Sequence, residues 1–382
     1  MKSQRKNSQI SINLDTFHTL ELIKNQVFSK FNSLMNTSQI RLTKGGYFMG
    51  EPMPYPFIFS CDFDDENLPN LGENLELLLD DKVVGFINVS EIFNSKDEYE
   101  KNIFNTNERK NGLGRYCVAG EFEIFSDEVR AVKSDINRIK IEQNAKKITA
   151  VMLTADPINR AHERLIRMAI DKADLVIIFL LQTSGDNHIN FELRKMAVEH
   201  FIQNYLPHNR VVIMPFRANI FSSHKNPTLE CIAAYNLGAN KLVIGQNHSG
   251  IGMFFDQNQP HTIFDRYIND LKMEIIVLPE LVYCNQCKTI VSTKTCPHGS
   301  HHHIKYKTDT IKSLLFNGIM PPTILVRSDI SAIILSRLYP NRFKDIQGLC
   351  DELFSNSGLL EKRDECDFYK ELMRLYQTSS LT

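Results

Sequence analysis

From Lys147 onward the chain alternates between two rhythms. Predominantly apolar blocks at 148–153, 175–181, 211–214, 242–244 and 274–278 have the length of strands. Between them, residues 159–172, 190–205, 227–236 and 262–271 predict helices. Ala161, Leu165, Met168 and Ala169 share one helical face in the first, and Leu193, Ala197, Phe201 and Tyr205 in the second. Strands alternating with helices predict a doubly wound parallel sheet with helices on both faces, because parallel neighbours need crossover connections.

The flanking segments read differently. Short apolar runs at 55–59, 75–79, 83–89 and 116–124, bounded by Pro, Gly, Asp and Asn, predict strands of a β-rich N-terminal domain. The charged segment 126–142, with Ile136 and Ile139 at helical spacing, reads as a connector. Past Tyr283 a Cys/His-rich segment precedes short helices over 309–316, 328–338, 343–354 and 363–376. The expected layout is a β-rich domain over 1–140, an α/β domain with the Cys/His segment over 141–307 and a helical domain over 308–382.

Composition narrows the function. A chain of 382 residues with 42% hydrophobic and 23% charged positions is that of a folded protein with two or three packed units. The apolar run 173–181, broken by Asp174, is far too short to cross a bilayer, so no membrane span is expected. The basic start, Met1-Lys2-Ser3-Gln4-Arg5-Lys6, is followed by no apolar segment, so no secretory signal is expected either. Forty-four Lys+Arg against forty-five Asp+Glu leave a charge of −1, which disfavours a nucleic-acid partner. Three of the eight cysteines sit in one short stretch, which suits a metal and a reducing compartment, here the cytoplasm, better than disulfides.

In an open parallel sheet, ligands bind beyond the carboxyl ends of the strands. Two turns there carry candidate chemistry. The first is Leu153-Thr154-Ala155-Asp156-Pro157-Ile158-Asn159-Arg160-Ala161-His162. One reading is capping, with Asp156 accepting from first-turn amides and Pro157 in the first helical position. The other puts Asn159 and His162 on one face toward a phosphate at the positive helix end. The second turn, Gly245-Gln246-Asn247-His248-Ser249-Gly250-Ile251-Gly252, has the glycines to bring backbone amides close to a phosphate. His248 is either a satisfied imidazole or a phosphate contact.

These segments resemble known ones. The first is similar to the Gln-Thr-Arg-Asn-Pro-x-His-x-x-His signature of the ATP sulfurylase (sulfate adenylyltransferase) family, the second to its Gly-Arg-Asp-His-Ala-Gly-x-Gly loop. Ser292-Thr293-Lys294-Thr295-Cys296-Pro297-His298-Gly299 resembles the family's zinc segment. Gly318-Ile319-Met320-Pro321-Pro322 with Val326-Arg327-Ser328-Asp329 resembles its Pro-Pro…Arg-Pro-Glu-Val stretch. Tyr47-Phe48-Met49-Gly50 and Gly112-Leu113-Gly114-Arg115-Tyr116 stand where the family's PUA-like β domain has similar segments.

The resemblance implies a nucleotidyltransferase that joins ATP, carried with Mg²⁺, to sulfate, giving adenosine 5′-phosphosulfate and pyrophosphate. It implies His162, His248 and Asn159 as catalytic positions. Thr154, Asp156, Gly245, Gln246, Asn247, Gly250 and Gly252 would line the nucleotide. ATP and a small oxyanion are the expected partners of a homo-oligomer.

The departures bear on the acceptor. The family's Gln falls on Leu153, its two arginines on Ala155 and Gln246, its Asn on Asp156 and its first His on Asn159, while His162 and His248 are kept. In the family the arginines and the Gln hold sulfate. A charge-assisted hydrogen bond contributes roughly 1.5–3 kcal/mol, so losing two weakens sulfate by a few orders of magnitude unless another cation, such as Arg160 or Arg217, substitutes. Asp156 adds a negative charge there unless it is turned away. Sulfate or another oxyanion therefore remain alternative acceptors, and a non-catalytic, nucleotide-binding or regulatory relative is the rival.

Cys284-x2-Cys287-x8-Cys296 followed by His298 and the run His301-His302-His303 has the spacing of a closed, structural Cys3His zinc site. Spacing does not choose between His298 and His302 as the fourth ligand. Cys61, Cys117, Cys231, Cys350 and Cys366 are scattered and read as buried fillers.

Overall fold

A computed structural model of the chain describes residues 8–63, 68–94, 114–183, 187–218, 228–245, 255–256, 259–260, 270–355 and 361–377. The fold is mixed α/β, in two compact units. One comprises residues 1–152, 173–184 and 212–277, the other 153–172, 185–211 and 278–382.

The first unit opens with β1 (Gln9–Ser11), helices α1 (Leu14–Lys24) and α2 (Thr37–Leu42), and the short pair β2 (Tyr47–Phe48) and β3 (Glu51–Pro52). Strands β4 (Phe59–Cys61), β5 (Asn74–Leu79), β6 (Lys82–Asn94) and β7 (Tyr116–Ile124) follow, and with β1 they form a sheet of order β1-β5-β6-β7-β4. The run predicted at 55–59 is a strand only from Phe59, because Pro54 and Pro56 bring no N–H to a ladder. Helices α1 and α2 have no counterpart among the expected elements, since the buried side of α1 mixes Thr16, Thr19 and Glu21 with Leu20 and Ile23. A bulge between Val89 and Glu91 in β6 faces Gly120 of β7. Any Cβ there would lie 1.9 Å from the Asn88 carbonyl oxygen, so only glycine fits.

Helix α3 (Glu128–Glu142) leads into a second sheet built from β8 (Ile148–Leu153), β9 (Leu175–Leu181), β10 (Val211–Phe216), β11 (Lys241–Gly245) and, later in the chain, β14 (Glu274–Leu278). The intervening helices are α4 (Arg160–Ile170), α5 (Phe191–Tyr205) and α6 (Thr228–Asn236), with the two-residue strands β12 (Phe255–Asp256) and β13 (Gln259–Pro260) before β14. The sheet order is β10-β9-β8-β11-β14, with β8 and β11 paired in parallel, Lys241 opposite Thr149 and Val243 opposite Val151. Burial follows position. Every residue of β8 and β9 is buried, as interior parallel strands require, whereas edge strand β14 is half-exposed. The helix expected over 262–271 falls largely outside the described residues.

The sequence order of the strands reverses between β8 and β11. Successive connections run from β8 toward β9 and β10 on one side, and from β11 toward β14 on the other. Such a reversal opens a crevice at the carboxyl ends of the two flanking strands.

In the second unit, β15 (Leu281–Cys284) is flanked by β16 (Thr289–Ser292) and β17 (His303–Lys305). Helices α7 (Thr308–Phe316), α8 (Ser328–Leu338), α9 (Ile346–Leu353) and α10 (Glu365–Gln377) follow, within a few residues of the four expected. Among the described residues, no helix is long and apolar enough to cross a membrane.

Candidate active site and metal centre

The loop leaving β8 corrects the capping expectation. Asp156 does not cap α4, and Pro157 is not its first residue. The peptide bond between them is cis, and the N-cap is Asn159. The Asn159 side chain accepts from the amides of Ala161 (3.0 Å) and His162 (3.1 Å), and the Nδ1 of His162 accepts from the Asn159 amide at 3.3 Å. This is a reciprocal capping box with histidine at the position glutamate or glutamine usually takes.

The box has two consequences. The first-turn amides of α4 are already spent, since Arg160 also donates its own to the Leu325 carbonyl at 2.9 Å and Glu163 its own to the Asn159 carbonyl at 3.0 Å. At this helix end only the helix dipole and side chains are therefore left to meet an anion. Second, Nδ1 of His162 is an acceptor, so its proton sits on Nε2. Burial pushes the imidazole pKa down to about 4, so His162 is neutral at physiological pH and offers one N–H donor rather than a positive charge.

Asp156 is buried and turned inward. Its Oδ2 lies 2.6 Å from His188 Nδ1 and 3.2 Å from Lys312 Nζ, and its Oδ1 accepts from the Ile189 amide at 3.0 Å. Lys312, only 3% exposed, also donates to the Asn187 carbonyl at 2.7 Å. Arg194, 1% exposed, donates Nε to the Ile189 carbonyl (2.9 Å) and a terminal nitrogen to the Thr154 carbonyl (2.5 Å). Burial lowers the Arg194 pKa, and Asp156 works against that shift. The extra negative charge read from the sequence is thus answered by cations from two helices, α5 and α7. Those partners went unseen because Lys312 lies far along the chain and Arg194 sits among apolar residues of α5; the one signal was an aspartate in an apolar turn.

Ala155, at one lost arginine position, is fully buried with φ +46, a left-handed conformation that costs an alanine roughly 1–2 kcal/mol. Thr154 is exposed. Neither substitute arginine stands free. Arg160 donates Nε to the Thr323 carbonyl at 2.9 Å and pairs with Glu163 at 3.2 Å, and Arg217 makes a forked pair with Glu128 at 2.8 and 3.0 Å. Arg327 pairs with Glu163 at 2.9 Å and lies over the Tyr205 ring at 3.8 Å.

Of the second loop, Gly245 ends β11, next to the carboxyl end of β8, and a Cβ there would meet nothing within 4 Å. Gln246, Asn247, His248, Gly250 and Gly252 lie outside the described residues.

The Cys/His segment gathers four donors. The ligand atoms of Cys284, Cys287, Cys296 and His298 all lie within 4.8 Å of one another, and together they could hold a metal ion. Cys287 and Cys296 sulfurs are 3.9 Å apart, and His298 Nδ1 lies 3.5, 3.2 and 3.7 Å from the sulfurs of Cys284, Cys287 and Cys296. Tetrahedral bonds of ~2.3 Å to sulfur and ~2.0 Å to nitrogen imply edges of about 3.8 and 3.5 Å, which these distances approach. Burial alone would raise the Cys284 thiol, but the amides of Cys287 and Gln286, together with the thiols of Cys296 and Cys287, outweigh it and bring the pKa down to about 6. Of the two histidines that spacing left open, His298 joins the cluster and His302 does not. His302 ends a 3-10 turn and leans on His301 at 4.1 Å, with its ring 6.0 Å from that of His298. Cys61, Cys117, Cys231 and Cys350 are buried and Cys366 half-buried, and burial raises the thiols of Cys61, Cys231, Cys350 and Cys366, which fits packing rather than nucleophilic roles.

Comparison with known proteins gives a consistent family. The ATP-sulfurylase family pattern matches residues 127–337. A sulfate adenylyltransferase of Psychrobacter sp. is 25% identical over 301 residues, 74% of this chain and 72% of its own. One from Staphylothermus marinus is 22% identical over 353 residues, 88% of this chain and 92% of its own. Among solved structures, the hexameric APS kinase from Thiobacillus denitrificans superposes with a TM-score of 0.62 at 16% identity over 88% of this chain, a likeness of fold. This chain spans 64% of that longer one, less than two thirds.

Proposed function

We propose that this chain, which belongs to the ATP-sulfurylase family, transfers the adenylyl group of ATP to a small oxyanion and holds sulfate itself only weakly. The observation that carries the reading is the neutral His162, locked by Asn159 in the loop that leaves β8, one of the two strands flanking the reversal of the sheet. The glycine-rich segment follows the other, β11. In the proposed step an acceptor oxygen attacks the α-phosphorus of ATP. The bond from that phosphorus to the bridging oxygen breaks, and the electron pair leaves on pyrophosphate. Mg²⁺ entering with ATP would neutralise the leaving phosphates. Nε2–H of His162 donates to a phosphate oxygen, and His248 with the 245–252 amides would complete the contacts. No side-chain nucleophile is needed, because positioning and electrostatic stabilisation suffice.

The weak grip on sulfate follows from the buried Ala155 and from the commitment of Arg160 and Arg217 to carboxylates. Pyrophosphate release from ATP should be measured over a panel of oxyanions and carboxylates. At least one acceptor is expected to support turnover, with the KM for sulfate about a hundredfold or more above that of the Psychrobacter relative. Ordinary sulfate affinity would remove the acceptor reading and keep the transfer. Tight ATP binding without turnover on any acceptor would instead mark a regulatory relative.

For the Cys3His cluster the proposed ion is Zn²⁺ in a structural role, with Cys284, Cys287, Cys296 and His298 filling its shell. Metal analysis of the purified protein is expected to give about one zinc per chain. Cys287→Ser should release it and lower the melting temperature, because the ion's binding energy is folding energy for the turn. A metal-free preparation of unchanged stability would end the assignment.

A further inference from the structure

A cavity lies on the flank of α4. Arg160, Arg164 and Arg167 recur at four- and three-residue intervals, so they share one helix face. They line the cavity, about 600 Å³ in volume, together with Tyr283, Lys288 and the carboxylate of Glu163. Asn159, His162 and Asp156 do not line it.

The charge balance of this cavity differs from that of the chain. Four cations face a single acid, in a protein whose formal charge is −1. Both oxygens of Glu163 are already engaged, one by Arg160 at 3.2 Å and the other by Arg327 at 2.9 Å. Two of the guanidinium groups are held in place. Arg160 is fixed by the Thr323 carbonyl and Glu163, and Arg167 donates to the Tyr205 carbonyl at 2.8 Å while lying 5.9 Å from the Phe201 ring centre. Arg164 and Lys288 are exposed, and among the described residues neither side chain makes an ion pair. Fixed guanidinium forks plus uncommitted cations suit a phosphate group, since each fork donates in a plane to two oxygens. Tyr283 and two isoleucines give the same cavity an apolar wall on which a ring can lie.

We propose that this cavity binds a phosphorylated small molecule of mononucleotide size, at a site separate from the one where transfer is proposed. Apart from Arg160 its residues lie outside the 154–162 loop, and none of them has a part in the proposed transfer, so the inference stands apart from that reaction.

The test is calorimetric titration of the full-length protein with ADP, comparing wild type, the double variant Arg164→Ala/Lys288→Ala and His162→Ala. Both residues of the double variant are exposed, and an unchanged melting temperature confirms that it folds. One binding event is expected to weaken by about tenfold or more in the double variant and with rising salt, and to persist in His162→Ala. Identical isotherms for wild type and the double variant would overturn the proposal. So would loss of all ADP binding in His162→Ala alone. A double variant that binds ADP normally but sediments as a smaller species would do the same, by making the cavity a contact between copies of the chain.

Discussion

Replacing Asp156 by asparagine, the residue of the family's signature, is expected to destabilise the protein by about 3 kcal/mol rather than to restore it. The carboxylate is 2% exposed and Lys312 3%, with 3.2 Å between charged atoms. Removing one member of a buried pair strands the other, which costs roughly 3–5 kcal/mol. The lower end applies here because Asp309, itself 89% exposed, still reaches Lys312 at 3.2 Å. Asparagine would keep an acceptor for the Ile189 amide, now 3.0 Å from Oδ1, so the loss reports charge more than hydrogen bonding. Chemical denaturation of Asp156→Asn, Lys312→Met and the double variant checks this as a cycle. The double variant is expected to recover most of what Asp156→Asn loses. A change below about 0.5 kcal/mol for Asp156→Asn, the scatter of ordinary surface substitutions, would show that the pair is not the constraint inferred.

Asp156 also marks where reading the sequence stops. The central strands were legible because β9 is apolar throughout and β8 is apolar but for Thr149, and helices α4 and α5 because their apolar residues share one face. The neighbours of each strand were not legible. Nothing in the residues of 241–245 says that this strand pairs with β8 rather than β10, yet that pairing creates the reversal, the place where open parallel sheets generally bind ligands. The motif at 154–162 was visible as a string, but its internal bonds were not. Asn159 outcompetes Asp156 for the cap because Asp156 is drawn inward by Lys312 and His188, partners 156 and 32 residues away in the chain. In the Cys3His cluster the grouping of the three cysteines was legible in their spacing. The choice of His298 over His302 depended on a turn that carries the later histidine away.

Substitution of His162 separates its two roles. The imidazole accepts the Asn159 amide through Nδ1 and, in the proposed reaction, donates to phosphate through Nε2. Glutamine at this position can still reach back to the N-cap amide, so His162→Gln is expected to keep stability within about 0.5 kcal/mol, whereas His162→Ala loses about 1 kcal/mol with the cap. Both are expected to slow adenylyl transfer by about a hundredfold, the effect of misplacing one donor to developing charge. The pH dependence of stability is a second handle. Burial lowers the folded-state pKa from 6.5 to about 4, so between those values the unfolded chain binds more protons at this site than the folded one. Stability contributed by the neutral imidazole is therefore full above about pH 6.5 and is lost as pH falls toward about 4, and His162→Gln should flatten that part of the profile. Full turnover in His162→Gln, with a loss in His162→Ala no larger than its destabilisation explains, would leave His162 as a helix cap and nothing more. The donor to phosphate would then have to come from the glycine-rich segment after β11.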